Sequence, residues 1–477
     1  MGQQGDKEGL RDRSGILRSL VAPCQGTGID SHFVTILTYK SPLSWLPALP
    51  AQIWLLAGGR LLSQLGTGFT LFYAPIFFVQ QVGLSATEVG LALGSGSIAG
   101  VIGRFCSGGL CDSAQAGRRS ALLLAAAISA FADVFLATAA NLPSLILGNL
   151  LMGLGIGLYW PATETVVADL TRSDQRGEAF AVTRVCDSLG LGFGVILAGL
   201  WLQWTHNYRI LFVVDGISFV AFFGLVFLFI AETRPDYLDR SPHPTSLWTS
   251  LKTSLRTSLQ PLSRDRALQI FLCANILFTT YLSQIQSTLP LYFSQSHPAN
   301  TDSPWFSAAL ISRLFAGHVV LTAILQLPIA RRLSGFGHLG ALRLSGLLWA
   351  LGFAGVGLLG WLMAQNNLAI AAIVVIFAAF LLLALLSIAV VCYLPASAAL
   401  VVELAPPSQR GIYLALSSQC WAVGYFLGPP LGGWALDQSA TIAQYFWWSL
   451  ALTVLPLQIA LLWLQSHRKD RLPLRSG

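Results

Sequence analysis

Several ionisable side chains lie inside long apolar stretches of this chain: Arg60, Asp133, Glu164, Arg184, Asp187, Asp215 and His318. A charge in such surroundings is costly to keep, so a function is the first reading for each. Arg60 falls about seven residues into its stretch, roughly 10 Å deep at 1.5 Å per residue. It suits binding of an anionic group or gating, or it snorkels to the edge. Arg184 and Asp187 are three apart, on one helix face, and read as an ion pair or a proton site. Asp133 offers a carboxylate for a coupling ion. Asp215, near the end of its stretch, reads as reaching water. Glu164 groups with Asp169 and Arg176 near a helix end. His318 is the one histidine deep in a stretch; imidazole titrates near neutral pH, while the plainer reading is a packed side chain with one hydrogen bond.

The elements that hold these groups are legible from composition. Of 477 residues, 10% are charged and 54% hydrophobic, against about 25% charged in an ordinary soluble protein. That balance excludes a disordered chain and a soluble multidomain enzyme. A membrane crossing takes about 20 apolar residues, and twelve stretches qualify: 53–78, 86–110, 118–140, 142–168, 178–203, 209–231, 267–294, 305–330, 338–363, 367–402, 411–436 and 442–465. The tenth is too long for one straight crossing, and Pro395 is placed to bend it. The expected fold is therefore an all-α membrane protein of twelve transmembrane helices.

Lysine and arginine alternate from loop to loop. Lys7, Arg11, Arg13, Arg18 and Lys40 precede the first span. Arg118 and Arg119, Arg172 and Arg176, Arg331 and Arg332, Arg343, Arg410, and Arg468 to Arg475 fall on the same side. Among the loops of the opposite side only Arg209 is basic. This split predicts both termini in the cytoplasm and a multi-pass protein of the inner or plasma membrane. The net charge of +7 is thereby a topology signal and not a nucleic-acid patch. Residues 1–52 read as a cytoplasmic tail, 53–231 as one six-helix bundle, 232–266 as a central cytoplasmic loop, 267–465 as a second bundle and 466–477 as a tail. The central loop carries four Thr-Ser-Leu repeats from Thr245 to Leu259, consistent with either an interfacial helix or a solvated linker. The seven cysteines include no C-x-x-C pair and read as packing residues.

The two bundles repeat each other. Residues 159–199 align without gaps on 393–433. Tyr159, Pro161 and Gln175-Arg176-Gly177 fall on Tyr393, Pro395 and Gln409-Arg410-Gly411. Cys186, Gly190, Gly194 and Gly199 fall on Cys420, Gly424, Gly428 and Gly433, and Asp169 falls on Glu403. Six-helix repeats that run the same way imply a pseudo-two-fold axis along the membrane normal with a cavity between the halves.

On these motifs the chain resembles the major facilitator superfamily (MFS) of secondary transporters over about 53–465. The family's motif G-x-x-x-D-[RK]-x-G-[RK]-[RK] is matched by Gly108, Asp112, Gly117, Arg118 and Arg119, with two extra residues and Ser113 in the first basic place. Gly108 reads as a site of close helix approach. The resemblance assigns Asp112, Arg118 and Arg119, with Asp169, Arg176, Glu403 and Arg410, to a conformational latch. A second motif, G-x-x-x-G-P-x-x-G-G, is intact at Gly424, Gly428, Pro429, Gly432 and Gly433 and decayed at Gly190 and Gly194. A third, R-x-x-x-G-x-G, appears as Asn149, Gly153 and Gly155, without the arginine that the family links to proton-coupled efflux. In that family the first, fourth, seventh and tenth spans line the cavity, which nominates Gln64, Tyr73, Asn149, Trp160, Asn275, Tyr281, Gln284, Gln286 and Tyr393.

The resemblance implies a monomeric transporter working by alternating access, without cofactor or metal. It would carry a small molecule, with a proton or sodium as a possible coupling ion. Export of a drug-like compound or metabolite is the leading expectation, and Arg60, Asp133, Asn149, Arg184, Asp187 and His318 are the candidate substrate or coupling residues. Uptake of a sugar or organic anion, favoured by Arg60 and Arg184, is the alternative. A non-transporting sensor is a rival of another class. No H-E-x-x-H or G-x-S-x-G motif supports an enzyme, and no G-x-x-x-x-G-K-[ST] loop supports ATP drive.

Overall fold

The computed structural model describes residues 49–112, 116–172, 175–233, 265–296, 305–333, 336–364, 372–406 and 409–471. The chain divides into two units, Met1–Ala51 and Gln52–Gly477, and the second carries the helical fold. The tail up to residue 48, the Thr-Ser-Leu repeats of the central loop and residues 472–477 lie outside the described residues.

Fifteen helices fill the described residues, with no strand among them. They are α1 (Ala51–Thr70), α2 (Ala74–Gln80), α3 (Ala86–Asp112), α4 (Gly117–Thr138), α5 (Leu142–Leu170), α6 (Arg176–Thr205), α7 (Arg209–Phe229), α8 (Arg266–Gln286), α9 (Thr288–Gln295), α10 (Ala308–Leu333), α11 (Gly337–Ala364), α12 (Ala372–Leu404), α13 (Arg410–Leu436), α14 (Ala440–Leu452) and α15 (Val454–Arg471). Three of the spans expected as single helices are broken: α1 gives way to α2, α8 to α9 and α14 to α15. Each second segment has a proline in its first turn, Pro75, Pro290 and Pro456. Proline has no N–H to give the preceding turn, so the hydrogen-bond ladder stops there. Pro161, Pro328 and Pro395 are instead carried inside continuous helices. The helix holding Pro395 runs for 33 residues, about 50 Å, well beyond a hydrocarbon layer of about 30 Å.

Among the described residues, eleven spans are long and apolar enough to cross a membrane. The twelfth, α13, has the length at 27 residues, but its glycines, serines, glutamine and paired Pro429-Pro430 dilute its apolar content. Large apolar side chains face outward all round: Phe131, Ile217, Leu351 and Ile459 are each more than half exposed. Without lipid that surface would be a severe aggregation hazard. The protein is a multi-pass membrane protein.

The sequence repeat is a repeat of contacts. A methyl group added to Gly190 or Gly194 of α6 would run into the Leu61 or Leu65 carbonyl of α1, while one on Gly424 or Gly428 of α13 would run into Thr279 or Ser283 of α8. The fifth span thus packs on the first as the eleventh packs on the seventh. Gly199 and Gly433, which are equivalent in the repeat, each cross to the other bundle: Gly199 abuts Ser312 of α10, and Gly433 abuts the Ala86 carbonyl of α3. Small residues at these points let backbones close where lipid gives no hydrophobic drive.

The two bundles meet along α3 and α13, and their tightest glycine contacts lie toward the face opposite the arginine-rich one. There α3 and α13 run in backbone contact through Gly90 with Pro429 and Gly94 with Phe426. On the same side the Gln80 side chain donates to the Ser294 carbonyl at 3.2 Å, and Phe72 packs on Phe315 with ring centres 4.7 Å apart.

Candidate functional site

A cavity of about 500 Å³ lies between the bundles, lined by all of α1 to α7 of the first and by α8 and α13 of the second. Its wall is largely apolar and aromatic. Trp160 comes from the first bundle, and Trp421 and Tyr425 from the second. Glycines bring the walls together. Gly96 and Gly100 of α3 meet Gly153 and Gly157 of α5 backbone to backbone, and Gly155 sits against Ser129 of α4. This accounts for the glycines of the third motif. Asn149 lines the cavity, with its amide turned back to the Leu145 carbonyl at 2.9 Å.

Two carboxylates reach this cavity, Asp133 from α4 and Asp215 from α7. Both are buried. The helices touch beside them, since a methyl on Gly216 would lie 3.2 Å from the Asp133 β-carbon. Asp215 Oδ2 accepts from Thr70 Oγ1 at 3.0 Å. Its Oδ1 and both oxygens of Asp133 find no hydrogen-bond partner among the described residues. Asp215 therefore does not reach the outer surface as expected from its place near a helix end; it is buried beside Thr70 on the cavity wall. One arginine lines the cavity, Arg104 of α3, and its Nη1 donates to the Ser418 carbonyl at 3.1 Å.

The expected Arg184–Asp187 pair does not form. Asp187 is taken by Arg60, 127 positions away: Nε donates to Oδ1 at 2.9 Å and Nη2 donates to Oδ2. The guanidinium also lies over the Trp160 ring, 5.1 Å from its centre. Helix geometry explains the difference. Arg184 turns outward and is exposed, while Asp187 faces α1, where Gly190 allows close approach. Arg60 is thereby neutralised, and it does not line the cavity, although Ser63 and Gln64 do. The case for an anionic substrate loses both of its arginines.

At the basic face, Arg118 Nε donates to Asp169 Oδ2 at 2.9 Å, and its Nη1 donates to the Cys111 carbonyl. Glu232, which the sequence reading missed, accepts from the backbone N–H groups of Arg118 and Arg119 at 2.8 and 3.1 Å. A carboxylate at a helix N-terminus is a favourable charge–dipole arrangement. Gly117 permits it: its φ is +77°, and any side chain would strike Glu232. Arg119 Nη2 donates to the Phe227 carbonyl. These contacts tie α3, α4, α5 and the end of α7 together inside the first bundle. The second bundle has a looser copy, with Gly337 at φ +69° and His338 Nε2 3.6 Å from Glu403. Arg176 is exposed. The side chains of Asp112 and Arg410 lie outside the described residues. Close approach was expected at Gly108, but nothing among the described residues lies within 4 Å of a methyl there; Gly103, five residues earlier, is pressed against Leu154 and Gly157.

His318 is buried away from the cavity, with Nδ1 2.8 Å from Ser387 Oγ and 3.3 Å from the Leu383 carbonyl. Of the expected cavity residues, Gln64, Asn149, Trp160 and Gln286 line it. Tyr73, Tyr281, Gln284, Asn275 and Tyr393 are core. Asn275 Oδ1 accepts from Tyr393 and Ser397, and Gln284 Nε2 donates to the Gly428 carbonyl that the paired prolines adjoin.

Two six-span bundles related by an internal repeat, closed at one end around a central cavity, define a helical membrane transporter. The Major Facilitator Superfamily profile matches residues 56–380, and the chain belongs to that family. It is 24% identical over 381 residues to a Na(+), Li(+), K(+)/H(+) antiporter of Planococcus maritimus, covering 76% of this chain and 85% of that protein. It is 26% identical over 409 residues to the multidrug resistance protein MdtH of Photorhabdus laumondii subsp. laumondii, covering 84% and 91%. The fold resembles that of the nucleoside transporter NupG, with a TM-score of 0.69 at 16% identity over 86% of this chain and 99% of that one. A peptide transporter crystallised with alafosfalin gives 0.67 at 15% identity, over 88% and 95%.

Proposed function

We propose that this transporter exports cationic amphipathic compounds from the cytoplasm in exchange for protons, acting as a monomer with both termini cytoplasmic. The observation that carries the reading is the pair Asp133 and Asp215, two buried carboxylates on one aromatic cavity with three oxygens lacking a hydrogen-bond partner among the described residues. Two like charges so close and so deeply buried do not both persist without a counter-charge. A proton or a bound cation supplies it. One excludes the other, which is the elementary requirement for exchange. The flat aromatic faces of Trp160, Trp421 and Tyr425 add a surface for a positively charged, apolar molecule. The relatives named for multidrug resistance and for cation/proton exchange support the same reading. The arginine of the family's proton-coupled motif is replaced by Asn149, so the coupling rests on the acids. On this topology the Arg118–Asp169 cluster faces the cytoplasm and belongs to the latch, which sets the packing of one bundle before it meets the other.

The test uses the full chain in liposomes holding a pH-sensitive dye, with an acid interior and external tetraphenylphosphonium. Uptake of the cation with proton exit is expected, and Asp133→Asn and Asp215→Asn should each lose proton movement. If sodium or potassium moves protons and the organic cation does not, the drug-like substrate class is wrong. Absence of proton movement with all three cations overturns the exchange reading. Undiminished proton movement in both variants overturns the assignment of the acids.

A further inference from the structure

Asp437 is at odds with its own helix. It is the C-cap of α13, where the helix dipole presents negative charge and an acid is unfavourable. A residue that breaks a local rule is expected to be compensated elsewhere, and here the compensation is on the other bundle. Helix α3 begins at Ala86, and its first N–H groups have no partner within the helix. Ser85 Oγ accepts from the Glu88 N–H at 3.2 Å, and Glu88 returns a bond to the Ser85 N–H at 2.8 Å. That leaves Ala86 and Thr87. Both of their N–H groups donate to Asp437, at 2.7 Å to Oδ1 and 2.7 Å to Oδ2, and the Thr87 hydroxyl adds a third bond. The acid disfavoured at the end of one helix completes the cap of another, some 350 positions away.

The position gives this contact a consequence. It terminates the glycine seam in which Gly90, Gly94 and Gly433 hold α3 and α13 in backbone contact. The seam and cap lie at the face where the two bundles close, and a transporter that alternates access has to part them there. We infer that Asp437 is a gate residue of the transport cycle. Its carboxylate clasps the N-terminus of α3 and holds the face opposite the arginine-rich one shut, and it must release that helix for the cavity to open on this side. The inference rests on the chain being a transporter and not on which ion or solute it carries.

The experiment is pulsed electron–electron distance measurement on the full chain in lipid nanodiscs, with the native cysteines replaced. One spin-label pair, Asn207→Cys with Ala364→Cys, reports the clasped face. A second pair, Glu178→Cys with Gln409→Cys, reports the arginine-rich face. Asp437→Ala should raise the ratio of open to closed distances at the clasped face about ten-fold, the response to a bias of about 1.4 kcal/mol. The same variant should shorten distances at the arginine-rich face. Thr87→Ala, which removes one of the three bonds, should shift both in the same directions by less. Local fraying of α13 would lengthen the first distance and leave the second unchanged, and that result overturns the inference. So does an unaltered distribution at the clasped face in both variants.

Discussion

The Arg60–Asp187 pair sets up a thermodynamic test whose size follows from burial. The side chains are 2% and 14% exposed, and two charge-assisted hydrogen bonds join them. Asp187→Asn keeps the shape and leaves the guanidinium buried without its hydrogen-bonded counter-charge. Breaking a buried pair in this way costs about 3–5 kcal/mol, and the partial exposure of Asp187 favours the lower end. Trp160 remains under the guanidinium in both proteins, so that contact cancels in the difference. The expected loss is about 3–4 kcal/mol, a roughly 150- to 850-fold rise in the unfolding constant. Removing both charges, with Arg60→Leu and Asp187→Leu, should return stability close to that of the parent. Equilibrium unfolding in mixed micelles with rising dodecyl sulfate measures Asp187→Asn and the four corners of the leucine cycle: the parent, Arg60→Leu, Asp187→Leu and the double variant. If the double variant falls by the sum of the single losses, to within about 0.5 kcal/mol, the pair is not coupled and the reasoning fails.

Two further outcomes follow from packing. Gly153→Leu drives a side chain into the Gly96 carbonyl and should abolish the monodisperse peak in size-exclusion chromatography. Gly58→Leu, with nothing within 4 Å of its new β-carbon, should leave that peak intact. His318→Ala removes the contacts to Ser387 and Leu383 and should lower stability by about 1–3 kcal/mol without changing protons moved per solute. Loss of proton movement with solute transport retained would make His318 the coupling group.

Much of the fold was legible because the bilayer imposes a simple code. Span length and the alternation of Arg and Lys follow from one dielectric boundary, and the gapless match of 159–199 to 393–433 gave the repeat. What was hidden is facing. A helix in lipid is apolar on every side, so hydropathy does not say whether Asp187 looks along its own helix to Arg184 or across to Arg60. The same blindness put Asp215 in water, since depth was judged by counting residues and its neighbours come from α1 and α4. Asp133 was read as a candidate coupling acid and not as a cavity residue, and the acid beside it on the cavity wall comes from a helix 82 positions away in sequence. Glycine spacing located the seams, but only the neighbours distinguish the pressed Gly103 from the open Gly108. Glu232 and Asp437 were missed for a common reason. Each acts on the backbone of a distant helix, and backbone N–H groups leave no mark in a sequence.

Both acids of the cavity are carried by the first bundle, and the second contributes only uncharged side chains to it, among them Ser283, Gln286, Trp421 and Tyr425. A duplicated scaffold has therefore become chemically lopsided. As the bundles rock, Asp133 and Asp215 keep their places relative to each other and to Thr70, and what changes is the wall presented to them. On the exchange reading proposed above, the second bundle serves as a movable dielectric: its uncharged wall is what changes in front of the two carboxylates, so the same residues meet alternating solvation without moving within their own framework.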